Sequence, residues 1–339
     1  MLAGRVWNSP AENGELTKRV MPNGRNHGDR LKPRALRPGD TVGIVAPASN
    51  VSRESLEKGC AVLRGLGYMP VYLDSIFEKD LYFAGTVERR VQELEEMFVR
   101  DEVKAILCAR GGYGANYLLS RLDAAKILAH PKIFVGYSDL TTLATCFTDA
   151  AKFVTFHGPM VAKDFALEDG VDLASWHAAV EGVGEWEIGP GTASGMEGLA
   201  DGEAEGTIYG GCLSLLVASL GTPHEIRTEG TIFFLEDVNA KPFQVDRMLM
   251  QLALAGKLRG VKAVVFGEML GCAQTVDQGY TLQEVVMRIV GELGVAVAYG
   301  LRSGHVTRKN ITLPIGVHGR LRVKGKEAEL KILEAATIP

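Results

Sequence analysis

Ser138 stands where a short apolar run, Lys132-Ile133-Phe134-Val135, passes through Gly136-Tyr137 into a helix-like stretch beginning at Thr141. A serine at such a strand-to-helix corner has its hydroxyl lifted clear of the sheet, and the first N–H groups of the helix point toward any oxyanion formed beside it. That is the setting of a nucleophile for acyl transfer. The residue serves equally as an N-cap, because Ser or Asp after a strand satisfies an orphan N–H of the first helical turn. Leu140 also occupies the position where the hydrolase elbow carries Gly.

A nucleophilic serine needs a base, and the base needs an orienting carboxylate. The chain has seven histidines. His27 lies in a polar N-terminal tail, His130 and His177 in segments that read as exposed helix or linker, and His318 in a hairpin-like turn. That leaves His157, His224 and His305. His305 follows Arg302-Ser303-Gly304 on a loop between two apolar runs, and loops carried by rigid strands concentrate catalytic groups. A hydrogen-bonded structural histidine is the alternative there. Glu236 directly follows Thr231-Ile232-Phe233-Phe234-Leu235, which has the continuous apolar character of a buried strand. A carboxylate in that place requires a partner, either a catalytic histidine or a salt bridge to Lys241 or Arg247.

The elements that must position these residues show two regimes. Apolar runs at Val42 to Ala46, Val71 to Leu73, Ala105 to Cys108 and Ile133 to Val135 alternate with helix-like segments at Ser52 to Leu66, Thr86 to Val99, Ala115 to Leu122 and Thr141 to Ala151. Such alternation makes an α/β unit with a parallel sheet covered on both faces. Around 167–205 the composition turns to Gly, Ala, Asp and Glu with Trp176 and Trp186, which reads as a connector whose tryptophans dock locally. Beyond it lie apolar runs at Thr231 to Leu235, Val261 to Phe266, Ala296 to Leu301, Asn310 to Val317, Arg320 to Lys324 and Glu327 to Leu333. They give a strand-rich α+β half in which only two helices stand out, among them an amphipathic one from Pro242 to Leu258 closed by Gly260. The expected division is a mobile tail over 1–34, an α/β domain over 35–166 carrying Ser138, the connector over 167–205, and a strand-rich domain over 206–339 carrying Glu236 and His305. The site should then lie in the cleft between the two domains.

Composition excludes several classes. A net charge of −4 lacks the basic balance of a nucleic-acid binder, and no apolar run approaches the roughly 18 residues needed to span a bilayer. Five cysteines without a C-x-x-C pair indicate small buried hydrophobes in a reducing compartment, so the cytoplasm is expected. Cys146 and Cys272 occupy no strand-end corner suited to a nucleophile. Residues 1–34 contain no signal-peptide h-region. Neither H-E-x-x-H nor another ligand spacing occurs, so no metal or other cofactor is expected.

The loop Gly111-Gly112-Tyr113-Gly114 has three readings. As a phosphate cradle its spacing fits neither the dinucleotide fingerprint nor the P-loop. As a turn it uses glycine's freedom at positive φ. As an oxyanion site it offers the N–H of Gly112 or Gly114 beside that of Asp139.

Taken in order, these segments resemble the LD-carboxypeptidases, a serine peptidase family that includes muramoyl-tetrapeptide carboxypeptidases and microcin C self-immunity peptidases. The resemblance rests on Gly39-Asp40-Thr41-Val42 with Ala46-Pro47-Ala48-Ser49, Arg110-Gly111-Gly112-Tyr113-Gly114, Gly136-Tyr137-Ser138-Asp139, His157-Gly158-Pro159, Gly210-Gly211-Cys212-Leu213-Ser214-Leu215, Leu235-Glu236-Asp237-Val238, and Gly304-His305 with Leu313-Pro314-Ile315-Gly316. It implies Ser138 as nucleophile, His305 as general base, Glu236 as orienting carboxylate, the Gly112–Gly114 loop and Asp139 as oxyanion donors, a flavodoxin-like first domain and a homodimer. Cys212 departs from the pattern, which carries Asn there in many members. His157 reads as structural or substrate-lining. The implied reaction is cleavage of an L,D-amide that releases the terminal D-alanine of a murein tetrapeptide during cytoplasmic cell-wall recycling. Arg110, Arg302 and Arg308 are the candidates for binding the substrate carboxylate. Rival readings are an immunity peptidase acting on an aminoacyl-nucleotide conjugate, with Trp176 or Trp186 as a shelf for adenine; an α/β-hydrolase esterase; and a non-catalytic ligand-binding module.

Overall fold

The computed structural model describes residues 30–189, 195–273 and 279–339. Most of the expected N-terminal tail, residues 1–29, lies outside that range. Two sheets organise the chain. The first has six strands in the order Leu313–Ile315, Thr155–His157, Ile133–Val135, Val103–Cys108, Thr41–Val45 and Met69–Val71. Its neighbours are parallel except for the first pair, which is antiparallel. Helices separate the parallel strands in sequence, and their starts are written locally: Ser52 caps Arg53–Gly65 and Thr86 caps Val87–Val99, each side chain accepting an N–H of the first turn. The helix Val87–Val99 buries Leu94, Met97 and Phe98. The segment read as a helix from Ala115 is instead a 3-10 turn, Ala115–Leu118, because Asp123 caps a separate short helix, Ala124–Ala129, immediately beyond it.

The second sheet has eight strands in the order Trp186–Ile188, Glu327–Ile332, His318–Lys324, Gly202–Cys212, Thr231–Glu236, Ala263–Gly267, Ala296–Leu301 and Glu197–Ala200. Its four strands from Gly202–Cys212 to Ala296–Leu301 run parallel. Gly202–Cys212 is the longest strand and fell partly in the expected connector, because Gly, Ala and Glu have weak strand propensity. Pairing with neighbours on both sides overrides that weakness. The helix Pro242–Leu254 stops before Leu258, since Gly256 turns the chain left-handed at φ 72°. No helix among the described residues is long and apolar enough to cross a membrane.

The halves interlock. The run read as a strand of the second half, Asn310 to Val317, contributes Leu313–Ile315 to the edge of the first sheet, where Leu313 pairs with His157. Thr141, at the start of the helix Thr141–Asp149, accepts the Cys212 N–H at 3.1 Å. Trp176 is fully buried, edge-on to Phe165 with centroids 5.2 Å apart, and its Nε1 donates to Tyr68 at 3.3 Å, 108 positions back in the chain. Trp176→Ala is expected to destabilise the protein by about 3–5 kcal/mol through a cavity and a lost hydrogen bond. Urea unfolding measures this, and an unchanged midpoint would contradict the packing described.

Candidate active site

Ser138, Cys212, Glu236 and His305 all lie at or just beyond the C-terminal ends of parallel strands. Open α/β sheets form their ligand crevices at this edge, because backbone leaving the strand there is free to turn toward a bound molecule. Ser138 adopts φ 63°, a left-handed conformation unusual for a residue with a Cβ and worth about 1–3 kcal/mol of strain. It does not act as a cap. The 3-10 turn Ser138–Leu140 and the helix Thr141–Asp149 have Tyr137 and Leu140 at their N-caps, neither with a side-chain bond. The hydroxyl is thus left for other work. Gly111 lies directly against it, since a Cβ there would come within 2.7 Å of Ser138 Cβ and 2.9 Å of Oγ.

Asp139 fixes that contact from below. Its buried carboxylate accepts the Ala115 N–H at 2.7 Å. Burial raises its pKa to about 6, against the downward pull of this donor and of Arg90. Arg90 Nη1 donates to Pro47 O at 2.7 Å and Gly114 O at 2.8 Å.

Glu236 ends its strand fully buried, and histidines rather than Lys241 or Arg247 hold it. His305 meets Oε2 twice, through Nδ1 at 2.8 Å and its backbone N–H at 3.1 Å. The other oxygen, Oε1, faces His157 Nε2 at 3.6 Å, and both atoms are buried with no other partner. Burial by itself would push this carboxyl up. Donation from His157 and His305 outweighs it and brings the pKa down to about 2.

The tautomer of His157 follows from Ser303. Its Oγ lies 3.0 Å from His157 Nδ1 and 3.2 Å from His157 O, and it has one proton to give. Given to Nδ1, it leaves a neutral ring with Nε2–H. Given to the carbonyl, it requires Nδ1–H to donate to Oγ in return.

The loop bearing His305 is held by Asn310, which accepts from Gly304 N and donates to Gly304 O, both at 3.0 Å. Glycine is required at 304. Its φ is 100°, and a Cβ would lie 2.7 Å from both Glu236 Cδ and His157 Cε1. Tyr137, next to Ser138, packs edge-on against the His305 ring at 5.1 Å. No hydrogen bond joins Ser138 Oγ to His305 among the described residues; such bonds are often long until substrate is bound.

Burial raises the thiols of Cys146, Cys212 and Cys272, which sets all three apart from activated nucleophiles. Arg110 is exposed on the strand-end loop leading to Gly111, and Arg308 is exposed beyond His305. Arg302 packs toward Gly195 with its Nε buried. Trp176 is enclosed in the core and Trp186 sits on the outermost strand of the second sheet, so Trp176 offers no shelf. His157, read as structural or substrate-lining, is buried beside Glu236 with its Nδ1 3.0 Å from Ser303 Oγ.

Profiles of the LD-carboxypeptidase N-terminal and C-terminal domains match residues 42–158 and 205–321. A Bacillus subtilis (strain 168) protein named probable murein peptide carboxypeptidase is 37% identical over 306 residues, 88% of this chain and 94% of its own. Among solved structures, muramoyltetrapeptide carboxypeptidase from Oxalobacter formigenes is similar with TM-score 0.76 and 30% identity, covering 87% of this chain and 99% of that one. An MccF-like protein from Bacillus anthracis str. Ames gives TM-score 0.81 and 27% identity, covering 90% and 99%.

Because the Glu236 pKa is about 2 in the fold against an ordinary 4.5, its contribution to stability is complete above pH 4.5 and is lost as pH falls toward 2. Wild type should therefore lose more stability than Glu236→Gln across that interval, other carboxylates cancelling in the comparison. Denaturant midpoints against pH check this, and parallel curves would refute the assignment.

Proposed function

The chain belongs to the LD-carboxypeptidase family of serine peptidases, and we propose that it releases the terminal D-amino acid of murein tetrapeptides through Ser138, His305 and Glu236. One observation carries the assignment of residues: a buried, ionised Glu236 holding His305 Nδ1 at 2.8 Å, with the turn that bears Ser138 packed on the same imidazole. His305 Nε2 takes the Ser138 proton as Oγ attacks the amide carbonyl, then passes it to the departing D-amino acid nitrogen. Water, deprotonated by the same imidazole, releases the acyl-enzyme. Glu236 stabilises the imidazolium, and His157 is a positioning residue that holds Glu236 from its other oxygen. The N–H groups of Asp139 and Gly112 receive the oxyanion; losing one such donor typically raises a barrier by about 3–4 kcal/mol. Arg110 receives the substrate carboxylate, since it is exposed beside the Ser138 loop. The reading extends to a homodimer acting in the cytoplasm on recycled wall fragments, as the family resemblance supports. The enclosed Trp176 favours the murein peptide over a nucleotide conjugate.

Ser138→Ala should fold normally and lose at least about 10³-fold in kcat. Incubation with murein tetrapeptide and an aminoacyl-nucleotide conjugate in parallel, read by mass spectrometry, should show loss of D-alanine from the first and little change in the second. A folded, active alanine variant would refute the serine mechanism, and preferred cleavage of the conjugate would refute the substrate. Turnover should also survive exhaustive chelation. Loss with EDTA and recovery with added Zn²⁺ would show metal-dependent chemistry instead.

A further inference from the structure

Cys212 is the residue at the site that hydrolysis leaves without a task. It ends its strand in parallel register with Glu236, the last residue of the next strand, so both project at the same height of the sheet. The ligand atoms of Cys212, Glu236 and His305 lie within 4.8 Å of one another, and all three residues are buried. Sulfur, imidazole nitrogen and carboxylate oxygen together make a donor set for zinc-class cations, whereas magnesium and calcium prefer oxygen alone. A second observation is independent of the cysteine. Glu236 Oε1 is buried without a hydrogen bond, facing His157 Nε2 at 3.6 Å, so the carboxylate keeps an acceptor that a cation could use.

We propose that Cys212, Glu236 and His305 form a site for a zinc-class divalent cation, and that its capture switches hydrolysis off. Bond lengths of about 2.0–2.3 Å place tetrahedral ligand atoms about 3.5 Å apart, so side-chain rotations that open the 2.8 Å Glu236–His305 pair slightly and draw Cys212 in by about an ångström suffice. Binding replaces the Cys212 Sγ–H bond with an Sγ–metal bond and sends that proton to solvent, while the His305 nitrogen facing Glu236 gives up its proton as the ring takes one up on Nε2, with no change of oxidation state. Water completes the coordination. A cation held there occupies the imidazole and carboxylate that turnover needs for proton transfer. The binding stands on the ligand set alone, while the switching rests on the triad reading.

The test begins with chelator-treated, desalted full-length protein titrated with Co²⁺ and followed by absorption spectroscopy. A thiolate-to-cobalt charge-transfer band should saturate at one equivalent and be displaced by Zn²⁺. Cys212→Ser should lose it, whereas Cys146→Ser, altering the thiol 3.6 Å from His224 Nδ1, should keep it. In the hydrolysis assay Zn²⁺ should inhibit wild type reversibly with EDTA. The inhibition midpoint of Cys212→Ser, relative to its own metal-free rate, should move at least about tenfold to higher zinc. No thiolate band in wild type overturns the site, a result that does not depend on any variant folding. Equal zinc sensitivity in Cys212→Ser, or a band with undiminished hydrolysis, overturns the switch. Failure of the triad reading is separable, because it shows as metal-free turnover by Ser138→Ala with the cobalt band retained.

Discussion

The carboxylate of Glu236 is a charge with no access to water, and the site is organised around making that tolerable. An isolated ion in such a place would take up a proton, since burial disfavours the charged form. Here two imidazoles and a backbone N–H supply what water would have supplied. The arrangement is reciprocal. Donors that keep Glu236 ionised are oriented by it in return, so removing any one leaves a buried charge short of a partner, which is more damaging than the loss of a surface contact.

Satisfying Glu236 depends on chain segments far apart in sequence. His157 ends a strand of the first sheet, Glu236 ends a strand of the second, and His305 follows a further strand of the second. The strand Leu313–Ile315 runs directly on from the His305 loop and pairs with the strand that ends at His157, while Asn310 closes the loop between them. A short antiparallel pair thus ties the site together across the two sheets. The contact of Thr141 with Cys212 does the same beside Ser138. Domain docking and assembly of the site are therefore one event.

A second buried network lies beneath Ser138 and acts on the loop opposite it. Arg90 bonds Pro47 and Gly114 carbonyls, and Asp139 takes the Ala115 N–H. These groups make rigid what would otherwise be a glycine-rich turn, and preorganised donors are effective because they need no reorganisation as charge develops. The left-handed Ser138 is held against its own preference by this packing, in the manner of strained residues at functional sites. Cys212 lies close enough to Glu236 and His305 to bring together donors suited to a soft cation.

Local physics made much of this legible. Continuous apolar runs alternating with capped helical periods specify a parallel sheet, and a serine after such a run, a carboxylate ending another and a histidine on a glycine-led loop are visible as residues with unusual needs. Tertiary structure decided the choices that local sequence left open. Whether Ser138 caps a helix or stands free depended on its φ, and whether Glu236 pairs with Lys241 or with histidines depended on strand register. The strand Gly202–Cys212 exists because of its neighbours rather than its own propensity. The role of His157 was hidden for the same reason: its partners Glu236 and Ser303 are 79 and 146 positions away. Sequence determines which side chains cannot be buried alone; only the packed fold determines which partner each one meets.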